Sequence, residues 1–316
     1  MIRRLACAVL VGTAALTACG GATATDDGVR VPGTEPPERS GLVWMREADG
    51  RDVTYWVALE DGTRLASQPI EGPLFADGDA LWQWHTEARS VPLYPEPPDE
   101  APGEPTSLGT VSRFALRELV ADADVTVIAM PELEAARSIQ QTVSLEGLVG
   151  PYLFVREDIY VDAWGAHGST SARAIVWDLR AASATDLLTE RERVELGGAP
   201  LARARVRLAA ARDAGEAAPG VIDLAAVHPR WDIDDGLAVE LQFIEAACYA
   251  CGDGLFGDYT RSVTLDAPAV PERLLRHRSV PRWVRATAER NPSARLMGFS
   301  RVERPEPARI LDTLRR

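Results

Sequence analysis

Cys248-Tyr249-Ala250-Cys251 is the spacing in this chain best suited to sulfur chemistry. A C-x-x-C pair can close a local disulfide, exchange disulfides with a substrate, or supply half of a zinc site. No histidine follows Cys251, so haem attachment of the c type is excluded. A zinc site needs a second ligand pair of similar spacing, and thiol exchange needs a helix N-terminus to lower the first thiol's pKa. Residues 241–247 read as a strand and Gly252 opens a turn, so a structural disulfide between Cys248 and Cys251 is expected in an oxidising compartment. So short a loop contributes about 2 kcal/mol through chain entropy, enough to pin a turn but not to hold a fold. A thiol oxidoreductase using these cysteines stands as an alternative.

Gly252-Asp253-Gly254-Leu255-Phe256-Gly257 matches G-x-G-x-x-G letter for letter. A dinucleotide loop, however, must open a helix whose N–H groups meet the pyrophosphate. Here residues 258–264 alternate like a strand, and Asp253 and Asp258 would repel phosphate. A glycine-rich turn is expected instead. Asp232-Ile233-Asp234-Asp235-Gly236 has glycine fifth and Phe243 twelfth, whereas a calcium loop of the EF-hand type needs glycine sixth and glutamate twelfth. This segment, too, is expected to be a turn.

The four histidines, His85, His167, His228 and His277, are too widely spread to announce a ligand set, so no metal is expected. Neither G-x-S-x-G nor H-E-x-x-H occurs. His167 lies in Trp164-Gly165-Ala166-His167-Gly168. Gly165 and Gly168 permit a tight turn there, and the imidazole can bond the backbone around it. Gly165, His167 and Gly168 are therefore a candidate functional turn in which His167 is structural. An envelope hydrolase using His167 with a nearby carboxylate is the other alternative. No residue is assigned a catalytic role, and no cofactor is implied.

These motifs need elements to hold them. Leu42-Val43-Trp44-Met45 and Asp52-Val53-Thr54-Tyr55-Trp56-Val57 flank a turn-like tetrad, residues 48–51, and predict a hairpin. Residues 81–85 alternate as a half-buried strand that puts Trp82 and Trp84 on one side. With Trp44 and Trp56 they are expected to fill a small core, and the alternative is stacking on sugar rings. The proline-rich residues 94–105 predict a loop or linker and a domain boundary. Beyond it, helices are expected over residues 113–121, 132–139, 184–193, 201–214 and 271–277. Strands are expected over 125–130, 152–155, 159–163, 174–179, 236–247 and 259–265. The last 35 residues are expected to add a helix or to drape over the surface.

The chain has 316 residues, 46% of them hydrophobic and 26% charged, which suits a folded protein and excludes general disorder. All 34 basic residues are arginine, against 47 acidic ones, a formal charge of −13. Binding to nucleic acid, which needs clustered positive charge, is not expected. The N-terminus carries Arg3 and Arg4, then an apolar run to Ala18 too short for a membrane span of about 20 residues. It ends Leu16-Thr17-Ala18-Cys19, which resembles the bacterial lipobox. The resemblance implies a signal peptide over 1–18, diacylation of the Cys19 thiol, cleavage before Cys19 and acylation of the new amine. Two or more acyl chains anchor firmly, at about 0.8 kcal/mol per buried CH₂. Gly20 in place of aspartate favours an outer-membrane address, facing the periplasm or the cell surface. Cleavage removes two positive charges and leaves −15, so the domain should stand off anionic head groups on the tether formed by residues 19–40.

Further along, Trp164-Gly165-Ala166-His167-Gly168 is followed by Val176-Trp177-Asp178-Leu179, Asp186-Leu187-Leu188, Asp235-Gly236-Leu237 and Tyr249-Ala250-Cys251-Gly252. In that order these resemble the RsiV-like extracytoplasmic domain of lysozyme-sensing anti-sigma factors and of some peptidoglycan deacetylases, with residues 271–275 matching its closing helix. Trp164 replaces the family's first glycine, the Thr-Gly turn after Leu179 is missing, and the cysteine pair is extra. The resemblance implies an α+β sheet domain that binds a partner and performs no chemistry.

The expected organisation is a signal peptide (1–18), a flexible tether (19–40), a small β-rich region (41–93), a Pro-rich loop (94–105), an α+β domain (106–280) and a C-terminal extension (281–316). The fold class is α+β, mainly antiparallel sheet with a few helices. The expected partners are the membrane, through the lipid, and an envelope protein or peptidoglycan.

Overall fold

The computed structural model describes residues 39–60, 63–78, 80–97, 104–164, 167–212, 220–248 and 251–302. The signal peptide, Cys19 and the tether up to residue 38 lie outside the described residues, as do Gly165, Tyr249 and Ala250. The described residues belong to one compact unit. The fold is α+β, dominated by four antiparallel sheets, with short helices on the surface.

The predicted first hairpin forms from β1 (Arg39–Arg46) and β2 (Asp52–Glu60), in register from Arg46↔Asp52 outward. Its turn is closed by Glu47 and Arg51, whose backbones bond at 2.8 Å, with Asp49 accepting from the Arg51 N–H. β3 (Thr63–Glu71) adds to β2, and β15 (Arg295–Val302) pairs with the other side of β1, from Ser40↔Val302 to Arg46↔Arg295. The C-terminal segment therefore neither drapes over the surface nor stands apart: after a short α4 (Arg282–Ala288) it becomes a strand of the first sheet. Every residue of β1 from Ser40 to Met45 is buried. The continuous apolar run of its sequence belongs to a strand covered on both faces. Val43 and Met45 enter one core cluster, Trp44 a second and Leu42 a third; β15 joins the same three through Leu296, Met297 and Val302. These two strands connect the whole core.

The second sheet runs β4 (Leu74–Asp77), β5 (Ala80–Leu93), β6 (Ser107–Glu118), β7 (Ala123–Ile128). β5 and β6 are paired along their whole length, ending at Leu93↔Ser107, and the Thr106 N–H donates to the Leu93 carbonyl. The Pro-rich stretch is thus the connection of a long hairpin, and no domain boundary falls there. The helix expected over 113–121 is strand β6. Its leucine spacing suits a helix, but pairing with β5 and β7 satisfies its backbone and overrides local propensity. All four tryptophans expected in the core are at least partly covered. Trp44, Trp56 and Trp82 are buried, and Trp84 stacks on Phe114 with centroids 5.8 Å apart.

The third sheet is β8 (Ser138–Val149), β9 (Tyr152–Asp162), β10 (Ser169–Asp178) and the two-residue β11 (Ser183–Ala184). β9 is one strand where two were expected. Residues 132–137 are not helical; Ala136 bridges to Leu93 and leads into β8. The helix expected over 184–193 begins later, as α1 (Glu190–Leu196). Its start is set by a reciprocal cap, Thr189 accepting from the Glu192 N–H and Glu192 accepting from the Thr189 N–H. α2 (Ala199–Ala210) follows as predicted, with Ala204 and Leu208 buried against the fourth sheet. That sheet is β12 (Ile222–Asp232), β13 (Gly236–Ala246) and β14 (Thr260–Asp266), and α3 (Glu272–Leu275) comes after it.

Candidate functional site

The turn between β9 and β10 meets the connection between β13 and β14. Trp164 enters the first turn with φ 61°, its N–H donating to Asp162 Oδ1 at 3.0 Å and its indole to the Tyr94 carbonyl at 3.2 Å. Gly168 is buried at the exit, where a Cβ would lie 2.2 Å from Tyr160 Oη; the close approach of that ring requires glycine. Between them His167 is exposed. Its Nδ1 is 2.8 Å from the Gly168 carbonyl, which can only accept, so Nδ1 carries the proton. Nε2 then accepts from the Tyr259 hydroxyl at 3.1 Å. Gly165 lies outside the described residues.

The second segment begins where β13 ends. The Cys248 and Cys251 sulfurs are at bonding distance, with Cα atoms 4.9 Å apart, and the Cys251 and Gly252 N–H groups both donate to the Cys248 carbonyl. The pair sits in the connection between β13 and β14. The glycine-rich run then folds over the open edge of β10. Ser171 bridges Gly257, the Ala172 N–H donates to the Phe256 carbonyl, and the Thr170 N–H donates to Asp258 Oδ2 at 2.7 Å. Asp253 accepts from the Leu255 N–H and from both the N–H and the hydroxyl of Ser262. Both carboxylates that would have repelled a phosphate are thus spent on ordering the loop. Phe256 is buried beneath the Arg156 guanidinium, 4.8 Å from its ring centroid, while Leu255 and Tyr259 remain 47% and 51% exposed. The Asp232–Gly236 segment is likewise a turn. Asp232 Oδ1 accepts from the Asp234 and Asp235 N–H groups, which hold its carboxyl below the ordinary range. Gly236 adopts φ 90°, and a Cβ on it would lie 2.4 Å from the Arg278 carbonyl.

A second arrangement had no signal in the sequence. His228 on β12 lines a cavity of about 320 Å³ with Arg46, Ser144, Glu146, Arg230 and Gln242. Its Nδ1 contacts the Glu146 carboxylate on β8, and its Nε2 is 2.9 Å from Gln242 Oε1 on β13. The Gln242 amide nitrogen in turn faces Ser262. Both ring nitrogens face acceptors, an arrangement that favours the doubly protonated ring. Burial pulls this histidine downward, but the hydrogen bond and charge of Glu146, with the Gln242 bond, outweigh it and raise it above its ordinary 6.5. A raised folded-state pKa means stabilisation that is complete below the unfolded value and lost as pH rises through the folded one. The melting temperature should therefore fall on going from about pH 6 to pH 9, and His228→Gln should flatten that part of the profile. Parallel profiles for the two proteins would show that the pair does not couple to folding.

Protein-family models, curated proteins and solved structures were all compared with this chain, and none matches. The motifs that resemble the RsiV-like domain fall in sequence at the β9–β10 connection, the end of β10, the approach to α1, the β12–β13 turn, the β13–β14 connection and the start of α3.

Proposed function

We propose that this is a lipid-anchored protein of the cell envelope whose sheet domain is a non-enzymatic binding module, and that it binds through the tip formed by His167, Leu255 and Tyr259. The address rests on the signal-like N-terminus in register with Leu16-Thr17-Ala18-Cys19; Gly20 in place of aspartate favours the outer membrane. No helix among the described residues is long and apolar enough to cross a bilayer, which leaves the lipid as the anchor within this reading.

The observation that carries the binding role is the pair of half-exposed apolar and aromatic side chains, Leu255 and Tyr259, on a loop held at many points. The Cys248–Cys251 link, the bridge to β10 and the Asp253 bonds fix its backbone before any partner arrives. Preorganisation of this kind reduces the entropy lost on binding, and tyrosine offers a large contact area with few torsions to freeze. The His167 imidazole, bonded to Gly168 and Tyr259, positions the phenol. The partner is an envelope protein or peptidoglycan, whose sugar faces suit an aromatic ring. With the full chain in detergent, cosedimentation with insoluble peptidoglycan and pull-down from envelope extract should each be compared with a Leu255→Ser/Tyr259→Ala variant. The variant should lose at least about tenfold of the recovered partner, as removing a central aromatic contact does, at an unchanged melting temperature. Equal recovery by both proteins removes the tip as the binding face.

A further inference from the structure

We propose that the outer face of the second sheet carries a site for a divalent transition-metal ion, formed by His85, Glu87 and Asp124. His85 and Glu87 are two residues apart on β5 and so share a face. Asp124 stands on β7, two strands away. The residue of β6 opposite His85 is Ala115, whose methyl leaves the imidazole room to reach across it. One ligand atom from each of the three side chains lies within 4.8 Å of the other two.

The geometry favours an ion over a simple ion pair. His85 Nε2 is 3.6 Å from Asp124 Oδ2, beyond hydrogen-bond range. Two ligands of a tetrahedral zinc ion, each at about 2.0–2.1 Å, stand about 3.3–3.4 Å apart. The His85–Asp124 gap is close to that edge. His85 Nε2 is also shut off from solvent and has no hydrogen-bond partner among the described residues, an arrangement that leaves its lone pair available. The Glu87 ligand oxygen, on an exposed side chain, lies within 4.8 Å of the other two ligand atoms. Arg113 steadies it from the other side, its Nη1 donating to Glu87 Oε2 at 2.9 Å and its Nε to Thr126 Oγ1 at 2.8 Å. Such outer contacts orient metal ligands. One imidazole with two carboxylates suits Zn²⁺, Ni²⁺ or Cu²⁺ better than Ca²⁺ or Mg²⁺, which prefer oxygen alone, and three protein ligands leave a position for water.

The test uses the full chain in detergent, stripped with a chelator and titrated with Zn²⁺ by calorimetry and with Co²⁺ by visible absorption. One equivalent should bind, with the cobalt bands of a low-coordinate nitrogen and oxygen site. His85→Ala and Asp124→Asn should each weaken binding at least about tenfold. Asp122→Asn, which removes the same charge from the adjacent β6–β7 turn without removing a ligand, should leave it unchanged. His85 and Asp124 are tested separately so that a folding defect in one leaves the other informative. Absence of a stoichiometric site in the wild type, or equal weakening by Asp122→Asn and Asp124→Asn, overturns the proposal.

Discussion

Replacing Cys19 by alanine should transfer the protein from the membrane fraction to the soluble fraction, or leave it unprocessed with its leader attached. The argument is one of scale. A single acyl chain holds a protein only marginally, whereas two or three, at about 0.8 kcal/mol per buried CH₂, hold it for far longer than a fractionation lasts. In the proposed mature chain, whose formal charge would be −15, attraction to anionic head groups adds nothing to that energy. The effect should therefore be nearly complete. Intact mass of the purified protein is the sharper measurement: the wild type should start at Cys19 and carry the added mass of its acyl chains, and the alanine variant should not. Identical masses and identical fractionation would remove both the lipid and the envelope address.

Glu245→Gln should cost about 3–5 kcal/mol of stability, because it removes the charge from a buried carboxylate that pairs with the Arg212 guanidinium. Glu245 on β13 is 2% exposed. Arg212, just beyond α2, approaches it through Nε at 3.2 Å, and Arg261, directly opposite on β14, through Nη1 at 3.8 Å. Arg261 also donates to the Cys251 carbonyl at 3.0 Å, so one carboxylate ties the end of α2, two strands and the cysteine loop together. Glutamine has the same shape and keeps a carbonyl, so the loss isolates the charge. For a domain of this size each kcal/mol moves the melting temperature about 2–4 °C, so a fall of about 10 °C is expected in thermal unfolding followed by circular dichroism. Arg212→Gln should cost less, since Glu245 keeps Arg261. A shift below about 2 °C for Glu245→Gln would mean that the carboxylate is dispensable.

The parts of this fold that were legible in the sequence are those whose signal is local. The β1–β2 hairpin shows apolar runs of strand formers on both sides of a glycine turn, and α2 a run rich in helix formers. The β6 segment misleads because Ala115, Leu116 and Leu119 mimic helical spacing, and only pairing with two neighbours makes it a strand. β15 is obscured by its arginines and by a partner more than 250 residues away. The true start of α1 is set by the Thr189–Glu192 cap, whose T-x-x-E pattern the expected range of 184–193 overlooked. Of the sites, the His167 turn and the cysteine loop could be named separately, but not the meeting of His167 with Tyr259, 92 residues on. The His228–Glu146 pair, 82 residues apart on two sheets, and the trio of His85, Glu87 and Asp124 are products of topology alone.

The pairing of the first strand with the last has a consequence for how the chain becomes a folded protein. As a polypeptide emerges from its N-terminus, β1 can find β2 at once, but the strand on its other side arrives only with residues 295–302. Closing a loop between Ser40 and Val302 costs about 5 kcal/mol in chain entropy, set against contacts that become available only when nearly the whole chain is present. The three core clusters that meet on β1 and β15 must therefore be completed late, and folding dominated by such distant pairing is slow. Under the proposed envelope address, a sheet that closes only when β15 reaches β1 would favour passage of the chain across a membrane before it folds.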